Sequence, residues 1–357
     1  LRAELAESGV TFATETDTET VALLAHHYML QGADPIEAAK KTLARLHGAF
    51  ALAFLFDGYE DLMIAARKGS PLAIGYGTGE MFVGSDAIAL SPMTDRIAYL
   101  EEGDMAVITR TSVEITDANG NLANRAIKQI QIDATRIDKG GHKHFMAKEI
   151  AEQPGVIGQA LTHYLSETGE ILLPDGGIDF SQIDRITMVA CGTASYACLT
   201  AKYWFEQVAR IPVEVDVASE FRYREPPIPA RTLAVFVSQS GETADTLAAL
   251  RYCEGKAQSI MSVINVPESS IARESDLALP IYAGVEVGVA STKAFTCQLT
   301  VLFLLVLKAA RDRGVMDDAT FADHISTLRG LPSVINVALE QNGAMRDAAS
   351  KLAHAQD

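Results

Sequence analysis

Val235-Phe236-Val237-Ser238-Gln239-Ser240-Gly241-Glu242-Thr243 is the stretch that decides how this chain folds. Three apolar strand-forming residues run straight into a hydroxyl-rich turn, and a helical pattern from Ala244 to Arg251 follows at once. That is a strand–loop–helix step. A helix N-terminus leaves backbone N–H groups unpaired and carries partial positive charge, so it draws anions. Hydroxyl side chains add donors without adding charge. The turn reads either as a seat for phosphate or another small anion, or as plain capping by Ser240 with Glu242 favouring the helix dipole. On the first reading Glu242 would repel a dianion, so it must point away or make a contact of its own.

Outward from this turn, residues 184–330 alternate strand and helix. Strands are expected over 186–191, 213–217, 233–238, 259–265 and 277–282, and helices over 197–210, 243–254 and 292–313. Such alternation implies a parallel sheet with helices on both faces, whose ligands sit beyond the strand C-termini. Two more strand-to-helix turns carry hydroxyls, Gly192-Thr193-Ala194-Ser195 and Ala290-Ser291-Thr292-Lys293. Three such turns on one sheet favour anion binding over capping. Neither the dinucleotide-binding glycine fingerprint nor a phosphate-loop lysine motif is present, so a nucleotide is not indicated.

Residues 1–126 read differently. Helices are expected over 18–31 and 35–46, each closed by a glycine, followed by short strands over 49–56, 61–66, 71–76, 81–84, 96–100, 104–109 and 112–116. Asp117-Ala118-Asn119-Gly120 is a hairpin turn. Helices followed by an antiparallel run predict an α+β unit. Residues 127–143 are polar and read as a linker. A helix over 145–165 carries Pro154, which kinks it or starts its second part. Leu1–Ser8 reads as the end of a helix closed by Gly9, and the pattern over 343–357 stops mid-helix, so the chain reads as part of a longer polypeptide.

The 357 residues are too many for one ordinary core. Net charge is −16, which argues against nucleic acid but not against a small phosphorylated ligand held by local dipoles. None of the four cysteines forms a C-x-x-C pair, and buried free thiols fit a reducing compartment. No signal peptide is evident, and the apolar run 299–307 is read as too short to span a bilayer, so a cytoplasmic protein is expected. Trp204 is expected in the core, Lys293 in solvent, and Lys148 with Glu152 as a helix-surface pair. His142 and His144 lack companions at metal-ligand spacing.

Ala190-Cys191-Gly192-Thr193, the turn Ser238–Thr246, and Gly288-Val289-Ala290-Ser291-Thr292-Lys293-Ala294-Phe295-Thr296 resemble a sugar isomerase (SIS) domain. Met146–Pro154 and Ala218-Ser219-Glu220-Phe221-Arg222-Tyr223-Arg224 are similar to the glucosamine-6-phosphate synthase family, the glutamine–fructose-6-phosphate aminotransferases (isomerizing). Ser8–Phe12, Glu15–Glu19 and Ala65–Leu72 resemble the second half of a class II glutamine amidotransferase domain of the N-terminal-nucleophile (Ntn) hydrolase fold. The resemblance implies an α/β SIS domain preceded by the C-terminal part of an α+β Ntn glutaminase domain. Its domains would be 1–126 glutaminase, 127–143 linker and 144–357 first SIS domain.

The family makes glucosamine 6-phosphate from fructose 6-phosphate and glutamine without a metal or redox cofactor. An N-terminal cysteine releases ammonia, which passes through a channel to the sugar. By motif match, Thr193, Ser238, Gln239, Ser240 and Thr243 would hold phosphate and sugar hydroxyls, and the backbone at Val289 would meet the sugar. Asp17 would bind the glutamine α-amino group, although Thr16-x-x-Glu19 is also a capping-box pattern around it. Ala194 stands where the family often has serine, so one side-chain donor is lost, leaving backbone N–H or Ser195 as the substitutes. The first cysteine here is Cys191, and the family's glutamate base, ring-opening histidine and closing lysine would lie past Asp357. No catalytic residue is therefore assigned in this chain, which alone is expected to be inactive. A homodimer is expected, with no nucleic-acid or membrane partner. The competing readings are a non-catalytic SIS sugar-phosphate regulator and a stand-alone SIS isomerase or deglycase.

Overall fold

The computed structural model describes residues 1–129, 139–174 and 177–355. The middle of the expected linker, 130–138, lies outside the described residues. The chain divides into two compact units, whose boundary falls within that stretch.

In the first unit, helix α1 (Arg2–Glu7) precedes α2 (Asp17–Leu30) and α3 (Pro35–Leu43). The start of α2 is fixed by Thr16, whose side chain accepts from the Glu19 N–H; Asp34 does the same for α3 through Glu37, with Pro35 at the first helical position. Strands β1 (Phe50–Leu55) and β2 (Met63–Lys68) pair antiparallel. Then come β3 (Ala73–Tyr76), β4 (Met81–Gly84), the short helix α4 (Ala87–Leu90), β5 (Arg96–Tyr99), β6 (Met105–Ile108), β7 (Val113–Thr116) and β8 (Lys128–Gln129). They form two four-stranded sheets, β1-β2-β6-β7 and β4-β3-β5-β8. Alanines at 65, 66, 73, 98 and 106 are fully or almost fully buried and let the layers approach closely.

A buried ion pair ties the unit's end to its core. Asp104 is 1% exposed, and Arg125 grips it with two bonds, Nε to Oδ2 at 2.8 Å and Nη2 to Oδ1 at 2.7 Å. Asp104 also accepts the Glu101 N–H at 2.7 Å. Losing one partner of such a pair strands a charge in a poorly solvated place.

The second unit opens with α5 (Phe145–Tyr164), which continues unbroken through Pro154. The Ile150 carbonyl that Pro154 cannot satisfy accepts instead from Gln153 Nε2 at 3.0 Å. Next are β9 (Arg185–Ala190), α6 (Thr193–Trp204), β10 (Val213–Val217), α7 (Ala218–Arg224), β11 (Thr232–Ser238), α8 (Ala244–Cys253), β12 (Ser259–Ile264), α9 (Ser270–Arg273), β13 (Leu277–Pro280), α10 (Lys293–Asp312), α11 (Asp318–Leu339) and α12 (Asn342–Leu352). α6 starts four residues before the sequence reading placed it and ends in a π turn over Phe205–Ala209.

All five strands are parallel, in the order β10-β9-β11-β12-β13. Every residue of β11 is buried, as expected of a strand covered on both faces. Its side chains alternate between layers: Leu233, Val235 and Val237 join α5, α6 and α10, while Ala234 and Phe236 join α7, α8 and α9. Trp204 packs against the first layer, edge-on to Phe303.

The apolar run 299–307 proves to be the middle of α10. That helix is long and apolar enough to cross a membrane by length and composition, with mean hydropathy 1.6, but 72% of the segment is buried as the central core helix. Replacing Arg125 by Ala is expected to cost the first unit about 3 kcal/mol. Hydrogen exchange at the β6 amides would show this as faster opening, and unchanged rates would contradict it.

Candidate functional site

The strand order reverses between β9 and β11: from β9 the chain goes out to β10, then returns past β9 to β11. The loops that leave these two strands diverge there and open a crevice at the strand C-termini. Ala190 pairs with Val237, so the next residues, Cys191 just past β9 and Ser238 at the last position of β11, stand side by side at the end of the sheet. Thr246 in the first turn of α8 points its hydroxyl at Cys191 Sγ, 4.0 Å away, which links the two turns. The predicted residues Thr193, Ser238, Gln239, Ser240 and Thr243 therefore sit on two neighbouring turns at one edge.

Each turn has its own construction. Gly192 takes φ 58° and ψ −137°, a combination open essentially only to glycine, and α6 begins at Thr193 with no side-chain cap. Ser195 Oγ donates back to the Gly192 carbonyl at 2.6 Å, so its proton is not a free replacement for the serine absent at Ala194. In the second turn Ser238 Oγ accepts the Gly241 N–H at 3.0 Å and lies 3.2 Å from Thr243 Oγ1. Ser240 Oγ accepts the Glu242 N–H at 3.2 Å. Ser240 is not the N-cap: Thr243 is, and it makes no side-chain cap bond. Gly241 has φ 67°, and a Cβ there would lie 2.0 Å from Ser269 Oγ, so only glycine fits the turn against α9.

The acids beside this edge each have at least one oxygen engaged. Glu242 turns away and accepts the Ser270 N–H at 2.8 Å at the start of α9. Asp245 is paired to Arg222 at 2.8 Å. The crevice is thus edged by hydroxyls and two uncapped helix starts, with Asp245 paired, Glu242 Oε1 engaged by Ser270, and Glu242 Oε2 buried without a hydrogen-bond partner. Such an arrangement suits a phosphate dianion.

The third hydroxyl turn is different, and the expectation of a third anion seat fails there. Glu286 fills it: one carboxylate accepts from Ser291 Oγ at 2.8 Å and from the N–H groups of Thr292 and Ala294 at 2.9 and 3.1 Å. The chain supplies its own anion to α10. Lys293 is not solvated either. It is 4% exposed and donates to Glu152 Oε2 at 2.7 Å, and Glu152 also lies 3.6 Å from Lys148. The expected surface pair is part of a sunken Lys–Glu–Lys cluster. The loop between β13 and α10 carries Val289, which is fully exposed beside this cluster.

Sequence reading missed the residues that hold this loop. Asn265, at the end of β12, accepts the Ala283 N–H and donates to the Gly284 carbonyl. Glu149 on α5 accepts from Val287 and Gly288. The one available signal was Gly288 itself, a glycine set between Val287 and Val289.

Asp17 lies in the first unit, exposed at the first position of α2. The capping box around it is incomplete. Thr16 caps Glu19, but the Glu19 carboxylate accepts from Ala13, Thr14 and the Thr14 hydroxyl rather than from Thr16. That hydroxyl, then the Ala13 N–H, hold Glu19 below the usual carboxylate range. Neither role is taken by Asp17. A cavity of about 460 Å³ in the same unit is lined by Lys40, Phe50, Arg67, Glu102 and Asp104 among others, and Asp17 is not on its wall.

Cys191 is half-buried, whereas Cys198, Cys253 and Cys297 are buried. Burial pushes the Cys198 and Cys297 thiols up to about 12 and Cys253 to about 11.

Comparison with known proteins follows the same two-part division. Residues 179–308 match the SIS domain family, and residues 1–92 match a glutamine amidotransferase domain. The chain is 53% identical over 358 aligned residues to a glutamine–fructose-6-phosphate aminotransferase [isomerizing] of Brucella abortus, covering 99% of this chain and 59% of that protein. The relative of the same name from Zymomonas mobilis is 50% identical, with 100% and 59% covered. The chain thus spans about 59% of the length of these curated relatives. The C-terminal domain of glucosamine-fructose-6-phosphate aminotransferase from Francisella tularensis superposes with a TM-score of 0.59 at 40% identity, covering 61% of each chain. A Clostridium difficile protein titled a putative phosphosugar isomerase, 19% identical with a TM-score of 0.50 over 58% of this chain and 57% of that one, shows the fold alone.

Iodoacetamide at pH 8 is expected to alkylate Cys191 well before the other three cysteines, read by peptide mass spectrometry. Equal rates at Cys191 and Cys297 would contradict the burial described here.

Proposed function

We propose that this chain, a homologue of the glutamine–fructose-6-phosphate aminotransferases along nearly its whole length, holds fructose 6-phosphate in the crevice between β9 and β11. The observation that carries the reading is the pair of uncapped helix starts at α6 and α8, set at the strand-order reversal and edged by hydroxyls. The phosphate lies against the N–H groups of both helix starts. Thr193, Ser238, Ser240 and Thr243 donate hydroxyls to it, and Gln239 offers an amide to the sugar. Val289 brings its backbone to the same edge from the β13–α10 loop.

The reaction served is glutamine-dependent amination and isomerisation of fructose 6-phosphate to glucosamine 6-phosphate, in the cytoplasm and as a homodimer. The first unit contributes Asp17, whose exposed carboxylate, free of capping duty, suits the α-amino group of glutamine. Binding by dipoles and hydroxyls explains how a chain of net charge −16 takes a dianion without a lysine or arginine in either turn. A purely regulatory SIS protein is disfavoured by the glutamine amidotransferase match over residues 1–92.

Each hydrogen bond to a charged group is worth roughly 1.5–3 kcal/mol, so Ser240→Ala or Thr243→Ala should weaken fructose 6-phosphate binding about tenfold or more. Calorimetric titration measures it, and unchanged affinity in both variants would sink the site. Saturating fructose 6-phosphate should also slow alkylation of Cys191 beside the crevice.

A further inference from the structure

We propose that Glu149 is a positioning residue of this site, a buried carboxylate that clamps the β13–α10 loop by its backbone and fixes where Val289 stands. The inference rests on the sugar-phosphate reading of this edge.

Glu149 is 2% exposed. A carboxylate so buried ordinarily faces a cation, because removing the charge from water is costly. The nearby lysines Lys148 and Lys293 instead lie against Glu152, one turn further along α5. Glu149 faces backbone: Oε1 accepts from the Val287 N–H at 2.6 Å and the Gly288 N–H at 3.1 Å, and Oε2 lies 3.3 Å from Gly288 N. Two successive N–H groups converging on one anion make a small nest. The fit is close enough to dictate sequence, since a Cβ at Gly288 would stand 2.5 Å from Oε2.

The clamp sits one residue before Val289. The loop's other ties lie further off: Asn265 at residues 283 and 284, and Glu286 at the start of α10. Glu149 is therefore the nearest fixed point for the exposed backbone that the site reading brings to the sugar. It touches no ligand in this scheme and acts through the loop.

Three variants separate geometry from charge. Glu149→Gln keeps an acceptor oxygen at the same reach without the charge. Glu149→Asp keeps the charge but falls one methylene short, and Glu149→Ala removes both. Amide hydrogen exchange in ligand-free protein reads the clamp directly. Protection at Val287 and Gly288 is expected in the wild type, largely kept in Glu149→Gln, and lost in Glu149→Asp and Glu149→Ala while β11 amides stay protected. Fructose 6-phosphate affinity should follow the same order, within about threefold for Gln and about tenfold weaker for Asp and Ala. Unchanged protection at the two amides in Glu149→Ala overturns the clamp. So does lost protection with unchanged affinity, since the loop position would then not matter. A wild type with both amides protected and no affinity for fructose 6-phosphate overturns the site reading instead, because the exchange measurement needs no ligand.

Discussion

Every helix leaving a parallel sheet presents unpaired N–H groups at the same edge, and where their partners come from organises the second unit. α9 receives the Ser269 hydroxyl and the Glu242 carboxylate, and α10 receives Glu286. α6 and α8 receive no side-chain cap from the residues that begin them. α7 likewise starts without a side-chain cap, but of the uncapped starts at this edge it is those of α6 and α8 that flank the strand-order reversal. On the proposed reading, the place of the anion follows from which uncapped starts meet at the reversal, more than from hydroxyl content.

The same accounting explains the acids. Glu149, Glu242 and Glu286 all lie near this edge, and each is engaged by backbone N–H groups. Asp245 and Glu152 are matched by Arg222 and Lys293. An edge rich in carboxylates is thereby made locally tolerant of one more anion. Had these acids been free, their repulsion would oppose a phosphate at short range.

Much of this was legible in the sequence, because the deciding signals are local. β11 reads from its unbroken apolar run, and the turn after it from Ser, Gly and Thr. What escaped depends on partners far away in the chain. Lys293 reads as solvated because its partner Glu152 comes 141 residues earlier, on a helix that only the fold brings alongside. Glu286 is indistinguishable in sequence from a surface acid, yet it fills the very turn that was expected to take a ligand. α7 and α11 also went unread, the first because seven residues give little periodicity and the second because Gly330 and Pro332 interrupt its pattern. The α6 start was placed late because glycine and threonine read as loop.

The burial of α10 bears on how the second unit comes together as it is made. Its leucines and valines complete the sheet face that α5 and α6 also cover, and they come after all five strands in the chain. During synthesis the strands can pair and take α5 and α6 on this side and α7, α8 and α9 on the other, but the part that α10 covers stays bare until residues near Asp312 have emerged. Until then the nascent unit shows water the apolar surface that α10 will cover, and α10 itself passes through the exit path as an unshielded segment long enough to interest a membrane. Lys293, buried against α5, gives that segment a charged anchor at its leading end and ties its docking to a helix already made.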